Sequence, residues 1–310
     1  MTPNLEEGLQ AVAARLQTII DKVRGADDVV FVKPSCRSAH DTAVYNTRYI
    51  HMVSLPKLEE VPIFLSPVSP FPVAILSFVM DINFFFFFHS MLFVRFRELY
   101  RTVLSRNKKL DENSAIAALL EVAIEMLKVS SAHDVIHNFI HSERVYNDFS
   151  IALQHPDRFQ NHFVVRKWVS IDPDMEFRGF YANGKLNALC QYNHLAFYPR
   201  LVLLKDTLAT LIQSFFALEV EPKLRSTFKE YVVDFAVVGP NLDKVYVIEL
   251  NPFLYTTDGA LFSWSNERAI LEHGPFEFRI LSAPIPGGKA MLAQDWRTLL
   301  EQETKSLMTH

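Results

Sequence analysis

Residues 231–264 read YVVDFAVVGPNLDKVYVIELNPFLYTTDGALFSW. Two runs rich in β-branched and aromatic residues, 231–238 and 244–250, flank the turn-forming Gly239-Pro240-Asn241-Leu242-Asp243. That pattern predicts a β-hairpin with a long loop. Each run carries an acid among apolar neighbours: Asp234 between Val233 and Phe235, and Glu249 between Ile248 and Leu250. A buried carboxylate is costly unless it is paired or bound to a metal. Strand side chains alternate faces, so Glu249 and Asn251 project to the same side. Asp234, Glu249 and Asn251 therefore form a candidate hard-cation site built from oxygen ligands. The competing reading makes one acid a turn cap and the other half of an ion pair at a sheet edge. Three oxygen ligands with these flanks favour the metal.

Composition bounds the rest. A chain of 310 residues holds one large domain or two lobes with ample core. A net charge of −4 leaves no general basic footprint, so duplex nucleic acid is not an expected partner. Cys36 and Cys190 are too few for a disulfide framework and suit a reducing compartment. The opening MTPNLEEGLQ has no apolar core of a secretory signal. The expected location is cytoplasmic.

From the N-terminus, Leu5, Leu9, Val12, Leu16, Ile19 and Val23 recur at helical spacing behind an Asn4/Glu7 box. A strand over 29–32 ends at Lys33 and the polar loop carrying Arg37 and Ser38, a reasonable phosphate-contacting group. Helices are predicted over 95–106 and 112–128, and a third from Ser131 to about Gln154, opened by Ser131 and Asp134. His133, His137 and His141 on that helix have metal-permitting spacing, but without a supporting motif they read as a polar stripe. Strands follow at 163–170, carrying Arg166 and Lys167, at 177–181, carrying Arg178, and at 185–192 after an Asn183-Gly184 hairpin turn. Arg178 among aromatics requires neutralising, by an acid such as Glu176 or Glu249 or by an anionic ligand. Residues 201–218 form a long helix with Leu204, Leu208, Ile212, Phe215 and Phe216 inward.

Residues 56–94 stand apart. Five prolines lead into the apolar run 71–94 with its Phe84–Phe88 block. We rank a poorly ordered or partly buried insertion first and a membrane span second; a translated non-coding stretch is the third reading. Asp81 within a span would cost about 2.5–3.5 kcal/mol. A single span would also separate Lys33 from Asp234.

A strand ending in Asp, a turn, and a strand closing on Glu-x-Asn resembles the magnesium-binding end of ATP-grasp proteins. The words FVKPSCRSAHDTA, VVRKW, EFRGF and ELNPFLYTTDGALFSW, in that order, resemble the motif series of the cell division cycle protein 123 family and its ATP-grasp relatives. The resemblance implies an α+β, ATP-grasp-like fold, two lobes with antiparallel sheets enclosing a nucleotide cleft, with 56–94 as an atypical apolar insertion. Its parts would be an N-terminal lobe at 1–55, a helical segment at 95–160, a C-terminal lobe with the metal site at 161–285 and a tail helix at 286–310. It implies ATP and Mg2+ as ligands. Lys33 would reach the phosphates, with Arg37 and Ser38 in the adjoining loop; Arg166, Lys167 and Trp168 would pass the adenine; Arg178 would face the phosphates. Asp234, Glu249 and Asn251 would hold the metal. The chain departs from the cell division cycle branch at Glu249, where that branch usually carries Asp, and at Pro34-Ser35-Cys36.

Two functions follow. The first is an ATP-dependent carboxylate–amine or related ligase acting through an acyl phosphate, with Lys33 and Arg178 as its catalytic groups and Gln191, His194, Thr257 and Asp258 lining a pocket for an unknown second substrate. The alternative is a non-catalytic ATP-binding assembly factor acting on translation initiation factor 2 through its γ subunit. Glu249 tilts the sequence reading toward the enzyme. A membrane-tethered protein is a third, less favoured class.

Overall fold

The computed structural model describes residues 3–24, 29–34, 60–64, 97–106, 111–140, 149, 154, 162–292 and 294–308. These divide into two compact units. One comprises described residues of 3–64, 125–140, 149, 154 and 162–169; the other comprises those of 97–124 and 170–308. The expected helical segment 95–160 is thus shared between them.

The first unit contains α1 (Pro3–Val23), β1 (Val30–Pro34), β2 (Glu60–Phe64), α3 (Ala132–Ile140) and β3 (His162–Lys167). The strands form an antiparallel sheet in the order β1-β3-β2. The strand β2 lies within the proline-rich segment that the sequence sets apart as an atypical insertion. Pro62 sits opposite Val164 in it, a position a proline tolerates because β2 is at the edge among the described strands. The rest of 56–94, including the apolar run, lies outside the described residues, as do Arg37 and Ser38. Alternate residues of β1 and β3, Val30, Val32, Phe163 and Val165, pack with Leu16 and Ile20 of α1 and Val135 and Phe139 of α3. The start of α3 is closed by a reciprocal box. The Asp134 carboxylate accepts from the Ser130 and Ser131 amides at 3.0 Å, and the Asp134 amide donates to the Ser131 hydroxyl at 3.2 Å. Burial raises the Asp134 pKa, but these hydrogen bonds outweigh it and hold the carboxyl below its usual range.

The second unit is organised on a five-stranded sheet. Its strands are β4 (Glu176–Ala182), β5 (Lys185–Gln191), β6 (Glu230–Val238), β7 (Lys244–Asn251) and β8 (Glu277–Arg279). Their order is β7-β6-β4-β5-β8, antiparallel except for the β5–β8 pair. Asn183 (φ 52°) and Gly184 (φ 79°) close the β4–β5 hairpin, a turn in which both central residues need positive φ. The sheet carries two irregularities. Asn187 is the extra residue where Phe180 pairs with Ala188 and Tyr181 with Leu186. Its buried amide nitrogen donates to the carbonyls of Ala182, Leu271 and Glu272. Ile248 is the extra residue beside Asp234 and Glu249.

One sheet face presents Phe177, Leu189, Val233, Phe235 and Val247 to the helical run that starts with α4 (Pro199–Phe215). That run continues as a π turn, Phe216–Val220, and as α5 (Glu221–Leu224). Its buried residues Leu208, Ile212, Phe216, Val220 and Leu224 recur every four positions. In a regular α-helix such a stripe drifts by about 40° per step; the wider π turn cancels part of that drift. The run is long and apolar enough to cross a membrane by length and composition, but its inner face is committed to the sheet. On the opposite sheet face, Phe180, Ala188, Cys190 and Val232 pack against Phe253, Phe262 and Leu271. Phe180 is the hub, edge-on to Phe262 at 5.6 Å and to Trp264 at 5.7 Å.

A helical stretch at 97–105, α2 (Glu112–Glu125), α6 (Arg268–His273) and α7 (Gln294–Met308) complete this unit. The fully buried carboxylate of Glu303 on α7 receives Arg97 Nε at 2.6 Å and also pairs with Arg101. Asn113 of α2 exchanges two hydrogen bonds with Phe197, at 2.9 and 2.7 Å, just before α4.

Candidate functional site

The predicted hairpin is present, and its acids come together with Arg178. Asp234 on β6 lies opposite Arg178 on β4 and Glu249 on β7. Asn251, two residues after Glu249, pairs with Val232 and shares that face. All four side chains therefore stand on the sheet face that carries Phe180 and Val232. Arg178 Nε and Nη2 each lie 2.8 Å from one oxygen of Asp234. Its Nη1 donates to the Asp258 carbonyl at 2.7 Å, and its Cζ sits 4.8 Å from the centre of the Tyr192 ring. Asn251 Nδ2 donates to Asp234 Oδ2 at 2.9 Å and to Glu249 Oε1 at 3.3 Å.

The electrostatics follow from burial and like charge. Asp234 is only 1 % exposed. Burial works against the charge of Arg178, but Asp234 outweighs it and the guanidinium pKa rises. Glu176 shares this sheet face at the start of β4. Burial, reinforced by Asp234 and Glu249, pushes its pKa up to about 8. Tyr192 is also held neutral, by burial and then by Asp234. Two carboxylates directly opposite on neighbouring strands repel, and a cation between them relieves that repulsion.

The structure corrects one expectation. The acid that neutralises Arg178 is Asp234, in place of Glu176 or Glu249: the β4–β6 register sets Asp234 across from it. Gln191, His194, Thr257 and Asp258, named for a second-substrate pocket, also make bonds to the surrounding loops. Gln191 donates to the carbonyls of Asn193 and Ala196 and accepts from the Leu281 amide. The Thr257 hydroxyl donates to the Pro252 carbonyl at 2.8 Å, while its own carbonyl accepts from Trp264 Nε1. A ring nitrogen of His194 lies 3.1 Å from the Tyr192 carbonyl, and Asp258 Oδ1 accepts from the Ala260 amide. The loop is tight enough that a Cβ on Gly259 would lie 2.2 Å from the Phe262 carbonyl oxygen.

The remaining predicted residues lie in the first unit. Lys33 on β1 and Arg166 on β3 share the sheet face opposite Val32 and Val165, since Lys33 pairs with Val164 and Phe31 with Arg166. Lys167 points to the other face and is exposed. Trp168 follows β3, with Lys128 Nζ 5.1 Å from its ring centre. Tyr192 is a site group that the sequence did not single out, and Asp258, named for a pocket, joins the site through its carbonyl. Tyr192 follows β5 directly, and the predicted Asn183-Gly184 hairpin already sets β5 beside the Arg178 strand; the contact of its ring with the guanidinium is what the sequence does not show.

Among the described residues, no group of three or more His, Cys, Asp or Glu side chains is arranged to hold a metal ion. Asp234, Glu249 and Asn251 nonetheless offer hard oxygen donors on one face. A half-turn of the Asn251 carboxamide would present its oxygen in place of its nitrogen. Chemically the set suits a divalent cation with oxygen ligands.

Together these features define a mixed α+β protein with a carboxylate–guanidinium cluster at the heart of a largely antiparallel sheet. The family model described as D123 matches residues 115–294, and the chain belongs to that family. It is 36% identical over 142 residues to "Cell division cycle protein 123" of Phaeosphaeria nodorum, covering 44% of this chain and 35% of that protein. It is 40% identical over 111 residues to "Translation initiation factor eIF2 assembly protein" of Ajellomyces capsulatus, covering 34% and 24%. The match thus spans about a third or less of the length of these relatives. The solved structure of Cdc123 from Schizosaccharomyces pombe aligns with a TM-score of 0.48 at 20% identity, covering 74% of this chain and 92% of that one.

Proposed function

We propose that this chain is an assembly factor for translation initiation factor 2, and that it binds ATP with magnesium as a structural or switching ligand. The observation that carries the first half is the identity to relatives named as eIF2 assembly proteins, 40% and 35% over 111 and 137 residues. The comparisons favour this reading over a ligase. The γ subunit is the proposed point of contact.

The ATP-grasp reading of the nucleotide site rests on the donor chemistry. Asp234, Glu249 and Asn251 would hold the magnesium, and Arg178 would neutralise phosphate charge. Bound magnesium would screen the β- and γ-phosphate oxygens. The chain's own groups bind and orient, with no nucleophile among them.

Two measurements test the proposal. Purified chain mixed with purified γ subunit should elute as a complex in size-exclusion chromatography; separate elution at micromolar concentrations refutes the partner. ATP with magnesium should raise the melting temperature, and Asn251→Ala should abolish the rise. A folded protein with no nucleotide-dependent shift refutes the ligand.

A further inference from the structure

Arg178 already acts as a cation in the acid site. Its fork holds both oxygens of Asp234 at 2.8 Å, and its third nitrogen is held by the Asp258 carbonyl at 2.7 Å. Asn251 adds a donor to Asp234 Oδ2. Building on the nucleotide reading above, we infer that Arg178 makes this site selective for a divalent cation delivered together with a polyphosphate, and closes it to the cation alone.

The argument is one of competing charges. A divalent cation coordinated by Asp234 would sit roughly 2.0–2.6 Å from a carboxylate oxygen. The guanidinium occupies the same carboxylate, so the two positive charges would meet in a buried setting where screening is weak. Moving Arg178 aside with no new partner would leave its charge buried beside Tyr192, which is unfavourable. A polyphosphate removes that conflict. Its oxygens accept the guanidinium fork in the same bidentate geometry as the carboxylate. Arg178 then exchanges one anion for another, and Asp234 turns to the arriving metal with Glu249 and Asn251. Cation and polyanion each favour the other's binding, so their affinities are coupled.

Calorimetric titration of the full chain tests this with three probes: Mn2+ alone, preformed Mn2+–tripolyphosphate and preformed Mn2+–ATP. The wild type should bind Mn2+ alone at least about tenfold more weakly than either complex. Arg178→Met should bind Mn2+ alone about tenfold more tightly than the wild type does and bind both complexes more weakly. Equal affinity of wild type and Arg178→Met for Mn2+ alone overturns the inference. Binding of the tripolyphosphate complex but not of Mn2+–ATP supports it while refuting the nucleotide reading; binding of neither refutes both. If Arg178→Met does not fold, Arg178→Lys keeps the charge and loses the fork. It should tighten Mn2+ alone by about threefold, and no change there overturns the inference.

Discussion

Arg178 and Asp234 stand opposite one another on adjacent strands, with two fork nitrogens each 2.8 Å from a carboxylate oxygen and both side chains buried. Such a pair contributes little net stability relative to apolar residues, yet breaking one half strands the other. Asp234→Leu should therefore lower stability by about 3–5 kcal/mol, whereas Arg178→Met with Asp234→Leu should cost less than either single change. Urea denaturation of the four proteins measures this; simple additivity would contradict the coupling.

Glu176 gives the fold a pH dependence of definite sign. Its folded pKa of about 8 lies above the ordinary carboxyl value, because of burial and then Asp234 and Glu249. The folded state therefore holds a proton that the unfolded state has released, and this contribution to stability falls as pH rises from the ordinary carboxyl range toward 8. Glu176→Gln should flatten that slope and be the more stable protein at pH 9. Denaturation midpoints at pH 5, 7 and 9 check it, and parallel profiles for the two proteins would rule it out.

Glu303 is the buried end of a fork between Arg97 and Arg101 that ties α7 to the 97–105 helix. The arginines remain partly exposed, so removing the acid leaves charges that water reaches. Glu303→Gln should cost about 1–3 kcal/mol, below the penalty for a fully buried pair. A thermal midpoint unchanged within error would show that α7 is held by its leucines alone.

The apolar helix at 199–224 separates a core helix from a membrane span. Leu203 is 85% exposed while Ile212 is fully buried against the sheet. Leu203→Glu should change stability by no more than about 0.5 kcal/mol, and Ile212→Ala should cost about 2–5 kcal/mol. Equal, large losses from both would mean that the outer face is covered.

What the sequence revealed was local. The hairpin strands at 231–238 and 244–250 and the Asn183-Gly184 turn were legible because alternation and turn chemistry act over a few residues. Asp134 closing α3 was legible for the same reason. The partnership of Arg178 with Asp234 was not, because it depends on β4 pairing with β6 across 56 positions of chain. The extra residues Asn187 and Ile248 were equally hidden, since an irregular register is set by neighbouring strands. The strand β2 was missed because its prolines and the apolar run after them set 56–94 apart as one insertion, and its pairing with β3 depends on residues about a hundred positions away.

The π turn at Phe216–Val220 has a consequence for chain length. Helices ordinarily resist losing a residue, because everything downstream rotates by about 100°. Here the inward positions 212, 216, 220 and 224 contain one residue more than a regular helix requires over the same path. Deleting exposed Leu218 would leave a spacing of four, three and four, which an unbroken α-helix satisfies with the same side chains against the sheet. This stretch should therefore tolerate a shortened chain, where one-residue losses earlier in α4 should not, and the melting temperatures of the two kinds of deletion would show the difference.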